Sequence, residues 1–380
     1  MKDINKNIIA LGFVSFFTDM ASSIINILLP IYVVYVLHEG VDKLGIIIAV
    51  ATFISYAIRV LFGYLSDKYN IVKPFVVVGY VLSAFTKPMF AFADTFISIA
   101  FLQGVERMGK AVRSASKDMI ISAYSTANKH GKTFGFHKMM DIAGELVGAL
   151  IVFIIFLIFI QNEILIKDIF LWTLVPGMIA TTIVIFFVQD VPKVEKKTNI
   201  VLNREDYRLF PLLFIYFGFL FFIVNQQFLI VLAKQNGFTL SDIPLFIILF
   251  TLVQTITSYY GGILSDKKGN FKIVFIAFIF GIFSMLSVKI NLLLSFGFLG
   301  LFTVLSLNAL RSYISINAKS KGFVFGVFYA GMAIFSALGS LLIGYLWEHY
   351  GFEVVYLFSI FGMTTLLIFS LIIIINSNFR

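Results

Sequence analysis

Residues 63–73 read GYLSDKYNIVK, and residues 262–272 read GILSDKKGNFK. Gly, Leu, Ser, Asp and Lys recur in the same order, a further Lys closes both stretches, and the two copies are about 199 residues apart. Each copy is a short charged stretch between two apolar runs, which is typical of a tight turn between antiparallel membrane helices. Two copies at one fixed offset indicate an internal duplication. The sequence therefore predicts two related halves.

The composition places these halves in a membrane. Of the 380 residues, 60% are hydrophobic, 17% aromatic and 13% charged, and the mean hydropathy is +0.98. Soluble domains are nearer half apolar and a quarter charged. The apolar runs are each about 18–25 residues long, which is enough to cross about 30 Å of hydrocarbon as a helix. We predict an all-α integral membrane protein with twelve transmembrane helices in two pseudo-symmetric six-helix bundles.

The hydropathy pattern positions these helices at residues 8–37, 43–66, 73–93, 95–113, 132–160, 168–189, 208–234, 241–265, 271–289, 292–315, 322–347 and 352–375. A polar linker over 190–207 has no apolar period and separates an N-terminal bundle, 1–189, from a C-terminal bundle, 208–380. The first run is too long and too uncharged at its start for a cleaved signal peptide. We expect it to remain in the mature protein.

Charge and cysteine usage exclude several classes of protein. The chain has no cysteine, so disulfides and thiolate metal sites are excluded. The 29 Lys and Arg residues exceed the 20 Asp and Glu residues, but the excess falls in short loops, among them Lys110, Arg113 and Lys117. Such a bias sets membrane orientation and does not indicate a nucleic-acid partner. It predicts an inner-membrane protein with both termini in the cytoplasm.

Ionisable residues within the apolar runs are candidates for function, because each costs about 2.5–3.5 kcal/mol at the bilayer centre. His137, Asp141 and Glu145 are four residues apart and follow one face of the fifth helix. An apolar bundle disfavours the charged form of a carboxylate, which suits a proton relay. Asp19 in the first helix is a second coupling candidate, and we expect neighbouring hydroxyl groups to satisfy its carboxylate.

Two alternatives remain open for the fifth helix. Three ligands on one straight helix rarely close around an ion, which makes a metal site a poor fit, and we expect no metal or cofactor. Asp141 or Glu145 could instead simply pair with Arg107 or Lys138, which would leave nothing to titrate. We expect the guanidinium group of Arg107 to pair with an acid on the first or fifth helix, or with Asp67 at the turn.

Other polar residues of the apolar runs complete the candidate site. Glu106 joins the proton-coupling set beside Arg107. Candidates for a substrate cavity are Asn26, Arg59, Gln103, Asn225, Gln226, Gln227, Gln254, Asn308 and Arg311. Amides orient a ligand without carrying protons, or else bond neighbouring helices. Lys87 on the third helix is also charged but is not a candidate for the site, because we expect its ammonium group to reach the membrane interface.

The repeated turn resembles the signature of the major facilitator superfamily, Gly-x-Leu-x-Asp-Arg-x-Gly-Arg-Arg between the second and third helices of each half. The matching residues are Gly63, Leu65, Asp67 and Lys68, and then Gly262, Leu264, Asp266, Lys267 and Gly269, with Lys in place of Arg throughout. The resemblance implies a transporter with cytoplasmic gates at Gly63, Asp67 and Lys68 and at Gly262, Asp266 and Lys267. It also implies that helices 3, 6, 9 and 12 face lipid while the other eight line a cavity.

A second repeat concerns the fifth and eleventh predicted helices. Laying Gly135 on Gly326 also lays Gly148 on Gly339. Gly144 and Gly148 are four residues apart, a spacing that lets the backbones of two membrane helices approach closely. We therefore predict tight packing of both helices.

The stretches SFFTD at 15–19, RMGKAVR at 107–113 and FGFHKMMD at 134–141 resemble a bacterial subgroup of the superfamily commonly labelled drug or siderophore exporters. This implies proton-coupled export, by antiport, of a small organic molecule from a monomer in the lipid bilayer. Ala149 stands where antiporters of the superfamily often carry proline. The alternatives are an uptake symporter, a transporter of a metal ion or chelate, and a receptor or scaffold without transport. An enzyme would need catalytic groups, and the only pair, Lys117 and Asp118, is expected in a solvated turn.

Overall fold

The structure is a computed structural model that describes residues 5–69, 71–125, 130–191 and 204–377. Within these ranges the side chains of 60, 67, 68, 130–132, 134, 135, 204, 205, 259, 261–263, 265–268, 321, 322 and 372–377 lie outside the description. The described backbone is helical throughout apart from short turns and contains no strand. The predicted all-α membrane fold is confirmed.

The α-helices of this described chain are α1 Lys6–Ile31, α2 Val41–Tyr69, α3 Lys73–Met89, α4 Phe96–Ala123, α5 His130–Ile158, α6 Glu163–Trp172, α7 Leu174–Phe187, α8 Phe210–Phe222, α9 Gln226–Gln235, α10 Ile243–Lys268, α11 Asn270–Ser287, α12 Leu292–Asn317, α13 Lys321–Tyr350 and α14 Phe352–Ser377. A π-helical segment, Tyr32–Val36, continues α1, and single 3₁₀ segments lie at Phe90–Phe92 and Arg204–Leu209.

Ten helical stretches of the described residues are long and apolar enough to cross a membrane. The helix α4 is not among them because six ionisable residues lie along it. The helix α10 contributes a shorter apolar stretch, Ile243–Ser258. The twelve predicted segments thus all correspond to helix, and ten meet the composition of a span.

Three predicted helices differ from the observed ones. The helix α4 ends at Ala123, ten residues beyond the predicted end at 113, because Ile120 and Ile121 are fully buried and no Gly or Pro interrupts residues 110–123. Lys110, Arg113 and Lys117 therefore lie on a helix, and their prediction as loop residues is wrong. The predicted sixth helix begins earlier, at Glu163, and is divided into α6 and α7 at Thr173.

The predicted seventh helix is also divided. The helix α8 ends at Phe222, and α9 begins at Gln226 after three residues of non-helical chain. The side chain of Asn225 caps α9 by accepting hydrogen bonds from the backbone N–H groups of Gln227, at 2.9 Å, and Phe228, at 3.4 Å. Such a cap satisfies donors that a helix start leaves without partners. Asn225 therefore has a structural role here.

The chain forms two compact units. The first comprises the described residues within Met1–Glu39, Val50–Lys197 and Phe238–Ile248. The second comprises those within Gly40–Ala49, Thr198–Gly237 and Leu249–Arg380. A buried apolar cluster of the first unit joins Leu11 and Val14 of α1 to Val76 of α3, Ile120 of α4 and Val184 of α7.

Glycines allow close contacts between helices in each unit, as predicted. A Cβ atom added at Gly144 of α5 would lie 2.2 Å from the backbone oxygen of Phe16, and one at Gly148 would lie 2.4 Å from that of Met20. In the second unit, a Cβ atom at Gly339 of α13 would lie 2.3 Å from the backbone oxygen of Phe221. The duplicated glycines thus perform the same packing in α1–α5 and in α8–α13.

Candidate functional site

Three helices of the first unit bring polar side chains to the hydroxyl group of Ser15 on α1. Its oxygen lies 3.0 Å from Nε2 of His137 on α5 and 3.3 Å from the hydroxyl group of Tyr80 on α3. Nζ of Lys117 on α4 donates a hydrogen bond to the same oxygen at 3.3 Å. The guanidinium group of Arg113 lies over the Tyr80 ring, 4.5 Å from its centroid. We call Ser15, Tyr80, Lys117 and His137 the Ser15 cluster.

Asp141 lies next to this cluster on α5. Its Oδ1 atom is 3.3 Å from Nδ1 of His137, and its Oδ2 atom is 3.9 Å from Nζ of Lys138. The Oδ1 atom is buried and has no hydrogen-bond partner, because the imidazole N–H is not aligned with it at that distance. The pairing of Asp141 with Lys138 that we considered is thus present, but it engages only the other oxygen.

Glu145 stands one turn beyond Asp141 and is partly buried. Within the described part of the chain it forms no hydrogen bond and no ion pair. An unpaired carboxylate inside an apolar bundle is unfavourable when it is charged. Its pairing with Arg107 or Lys138 is not observed, so Glu145 remains available to bind a proton or a ligand.

Asp19 on α1 forms an ion pair with a side chain of another helix. Its Oδ1 atom lies 3.8 Å from Nζ of Lys110 on α4. The nearby hydroxyl of Ser22 donates instead to the backbone oxygen of Thr18, and the hydroxyl of Ser15 contacts His137. The expectation that local hydroxyl groups satisfy Asp19 is therefore wrong. The reason is that a helical hydroxyl reaches its own backbone one turn earlier more easily than it reaches a carboxylate.

A second buried network joins α3, α4 and α1. Lys87 is fully buried, donates to the Ser83 hydroxyl at 2.7 Å, and lies 3.5 Å from Oε1 of Glu106. Ser83 also donates to Glu106, at 3.1 Å. The prediction that Lys87 reaches the interface is wrong, because a carboxylate on the adjacent helix compensates its charge in the interior. Glu106 thus holds α3 and α4 together.

Arg107 joins this network from the next position of α4. Its Nε atom is 3.4 Å from Oε2 of Glu106, and its Nη2 atom donates to Oδ1 of Asn26 on α1 at 2.7 Å. Among the described side chains no acid of α1 or α5 pairs with Arg107, and the third predicted partner, Asp67, lies outside those side chains. Glu106 therefore lies beside two cations, Lys87 and Arg107. This arrangement predicts that replacing the carboxylate destabilises the protein more than replacing one of the cations.

We expect Glu106→Gln to destabilise the protein far more than Lys87→Met. Glu106→Gln leaves two cations near each other without their carboxylate, and removing one partner of a buried pair costs about 3–5 kcal/mol. Lys87→Met leaves Glu106 beside Arg107, so the carboxylate keeps a counter-charge. Denaturant unfolding in detergent measures the free energy of unfolding of both variants. Equal losses of this free energy would contradict the argument that one carboxylate compensates two cations.

The remaining candidates of the first half are placed as follows. Arg59 of α2 donates to Oδ2 of Asp118 on α4 at 3.2 Å, so Asp118 lies on a helix and not in a solvated turn. The Oε1 atom of Gln103 is buried without a hydrogen-bond partner. A Cβ atom at Gly63 would lie 3.3 Å from Cβ of Ala115, which is a tight approach of α2 to α4. The gate residues Asp67, Lys68, Gly262, Asp266 and Lys267 lie outside the described side chains.

In the second unit, two candidate amides connect helices. Gln254 of α10 donates to Thr303 of α12 at 2.9 Å, and Asn308 of α12 donates to Ser258 of α10 at 3.4 Å. This supports the interpretation that amides bond neighbouring helices.

Two further candidate residues of the second unit keep unused hydrogen-bonding capacity. The Oε1 atom of Gln226 and the Nε atom of Arg311 are buried without a hydrogen-bond partner. The guanidinium group of Arg311 lies 5.8 Å from the centroid of the Tyr329 ring. The adjacent Gln227 takes part through its backbone N–H at the Asn225 cap. Gln226 and Arg311 thus keep unused hydrogen-bonding capacity, as the hydroxyl groups of Ser295 and Ser359 also do.

Sequence reasoning missed four members of the site: Ser15, Tyr80, Lys110 and Lys117. For the two lysines a signal existed, because Lys110 and Lys117 are three and ten residues after Arg107 and so share one face of α4. For Ser15 and Tyr80 no local pattern marks the hydroxyl groups. Among the described residues, no group of three His, Asp or Glu side chains is placed to hold a metal ion.

The family model of the Major Facilitator Superfamily matches residues 11–310. An uncharacterized MFS-type transporter of Methanocaldococcus jannaschii is 30% identical over 367 residues, which cover 91% of this chain and 90% of that protein. A match of this extent and identity shows family membership.

Solved structures of transporters share the fold. A POT family transporter in complex with a thioalcohol-conjugated peptide has a TM-score of 0.79 at 12% identity over 99% of both chains. The nucleoside transporter NupG has a TM-score of 0.76 at 13% identity, covering 97% of this chain and 99% of that one. A D-xylose-proton symporter has a TM-score of 0.69 at 14% identity, covering 94% and 95%. The chain therefore belongs to the Major Facilitator Superfamily and is a multi-pass membrane transporter of that type.

Proposed function

We propose that the protein is a proton-coupled secondary transporter that exports a small organic molecule by antiport. The observation that carries the coupling is the set of acids inside the first unit. Asp19 and Asp141 lie beside cations of α4 and α5, and Glu145 has neither an ion pair nor a hydrogen bond within the described residues. Acids in an apolar bundle are suited to bind and release protons. The direction rests on the resemblance of three stretches to the drug or siderophore exporters.

We further propose how this activity is organised. Residues 1–189 and 208–380 form two bundles that rock about a central site, joined by the linker 190–207. Asp67, in the last turn of α2, and Asp266, in the last turn of α10, act as cytoplasmic gates where the sequence predicts interhelical turns, and both termini are cytoplasmic in the inner membrane. The transporter functions as a monomer. Gln226 and Arg311, with their unused hydrogen-bonding capacity, contribute to substrate binding.

The second candidate is uptake of a substrate together with a proton. It is favoured by the pairing of Asp19 with Lys110, at 3.8 Å, and of Asp141 with Lys138, at 3.9 Å. Protonation of either carboxylate would leave an ammonium group without its counter-charge and so create a site for an anionic group. Under this mechanism the proton and the substrate bind together, whereas under antiport they compete.

Proteoliposome transport separates the two candidates. A thermal-shift screen against organic cations, organic anions and metal chelates at two pH values first selects the compound to be used. A gradient of that compound is then imposed, and a trapped pH dye reports proton movement. Antiport moves protons against the compound and co-transport moves them with it. A compound that crosses without any dye response contradicts proton coupling.

A further inference from the structure

The Ser15 cluster is a buried connection between Asp141 and α3. Ser15, Tyr80 and His137 are 1%, 2% and 4% exposed, although all three carry polar groups. The contacts form a continuous series from the Tyr80 hydroxyl to Ser15 at 3.3 Å, to Nε2 of His137 at 3.0 Å, and from Nδ1 to Oδ1 of Asp141 at 3.3 Å. The series ends at the one oxygen of Asp141 that is buried without a hydrogen bond.

Donor and acceptor counting restricts the hydrogens in this series. An ammonium group only donates, so Lys117 occupies one lone pair of the Ser15 oxygen. Ser15 has one hydrogen left to donate, and it points either to Nε2 of His137 or to the Tyr80 oxygen. A neutral imidazole carries one hydrogen, on Nδ1 or on Nε2. These two choices are linked, because Nε2 cannot both accept from Ser15 and donate to it.

Two arrangements satisfy this count. In the first, Tyr80 donates to Ser15, Ser15 donates to Nε2 of His137, and the hydrogen on Nδ1 faces the Asp141 carboxylate. In the second, protonated Asp141 donates to Nδ1, the hydrogen on Nε2 donates to Ser15, and Ser15 donates to Tyr80. The Tyr80–Ser15 and Ser15–His137 contacts are kept in both arrangements, whereas His137 and Asp141, which are 3.3 Å apart without a hydrogen bond, must align before a proton crosses between them. Only the direction of each hydrogen bond and the protonation of Asp141 differ.

We propose that His137 is a tautomeric proton shuttle between Asp141 and the Ser15–Tyr80 hydroxyl pair. The inference rests on the proposed proton coupling and names the path by which Asp141 is loaded and unloaded. One proton bonds to the Tyr80 oxygen as the Tyr80 hydrogen passes to Ser15 and the Ser15 hydrogen passes to Nε2. In the same step the N–H bond at Nδ1 breaks, so that the ring stays neutral, and its hydrogen forms the O–H bond of Asp141. Release runs the same steps in reverse, and only Asp141 changes charge.

The charged surroundings support a neutral imidazole in this role. Cations face the cluster from α4, which carries Lys117 and Arg113, and from α5, which carries Lys138, while Asp141 supplies the adjacent carboxylate. A second positive charge on His137 would lie beside Lys117, with Ser15 shared between them. The other ionisable groups of these elements are Lys6 and Asp19 on α1, Lys73 and Lys87 on α3, Glu106, Arg107, Lys110 and Asp118 on α4, and His130, Lys132 and Glu145 on α5. A tautomer exchange moves a proton past the imidazole without forming an imidazolium ion.

Nitrogen-15 NMR of the purified full-length protein with labelled histidine tests the shuttle. The chain has four histidines, and His137→Gln assigns the signal. We expect His137 to stay neutral and to change from the Nδ1–H to the Nε2–H form as the pH is lowered through the titration of Asp141. Asp141→Asn should abolish this pH-dependent exchange. A His137 signal that becomes imidazolium, or that keeps one tautomer at every pH, overturns the proposal.

Transport by Ser15→Ala provides a second, functional readout. Ser15→Ala removes the hydroxyl next to Nε2, so we expect proton-driven transport to fall about tenfold or more while substrate exchange, which needs no net proton release, is kept. Ser22→Ala is the matched control, because that buried hydroxyl on the same helix bonds only its own backbone. Equal transport by Ser15→Ala and Ser22→Ala contradicts the shuttle. If the NMR exchange is observed while wild-type transport moves no protons, the coupling proposal fails and the tautomer exchange stands.

Discussion

Asp141→Asn combined with Glu145→Gln is expected to abolish proton-driven transport, with uphill accumulation reduced at least about a hundredfold. Both changes keep the shape and remove the titrating group. Asp141 offers a buried oxygen without a hydrogen bond, and Glu145 forms no contact with a cation within the described chain. Neither amide can carry a proton. Counterflow exchange in proteoliposomes should persist, because exchange requires binding and reorientation but no net proton movement.

The matched control is Asp94→Asn combined with Glu163→Gln. These residues also share a partner, since both lie within 3 Å of Nζ of Lys167, at 2.9 and 2.8 Å, but they are largely exposed. Exposed pairs contribute little to stability, so we expect transport by this control to match the wild type. Uphill transport that survives in Asp141→Asn/Glu145→Gln would remove both acids from the coupling mechanism.

Gly144→Val is expected to be the most damaging single change for folding. A Cβ atom at Gly144 would lie 2.2 Å from the backbone oxygen of Phe16 on α1, and a backbone atom cannot move aside as a flexible side chain can. Overpacking of this kind typically costs about 1–3 kcal/mol and more when backbones must separate. We expect a loss of monodisperse protein in size-exclusion chromatography, or a thermal midpoint lowered by many degrees.

Gly326→Ala serves as its control. A Cβ atom at Gly326 of α13 meets nothing within 4 Å, and alanine favours helix over glycine by about 1 kcal/mol. The thermal midpoint of this variant should be unchanged or slightly raised. A Gly144→Val protein with the wild-type midpoint would show that α1 and α5 separate at little cost, contrary to the observed packing.

Much of the fold was predictable because its determinants are local in the chain. Apolar run lengths indicated the helices, the repeated turn indicated the duplication, and the spacing of Gly144 and Gly148 indicated close helix contact. The breaks at Thr173 and Asn225 are not predicted from the sequence, because long apolar runs flank both positions and hydropathy does not register a change of backbone direction. The three amides at 225–227 are interpreted as ligand or helix contacts within one span. The sequence predicts the end of α4 too early because charged residues usually indicate a loop, whereas Glu106, Arg113 and Lys117 are accommodated between helices.

The candidate site, like the fold, is only partly predictable from the sequence. The alignment of His137, Asp141 and Glu145 follows from helical periodicity, and the sequence alone determined it, together with the membrane class and the two halves. Partners were decided by tertiary structure: Lys110 lies beside Asp19, Lys87 beside Glu106, and Lys117 at the Ser15 hydroxyl. The physical reason is that periodicity specifies which residues share a face of one helix. The rotation and depth at which that face meets another helix depend on the packing of side chains distant in sequence.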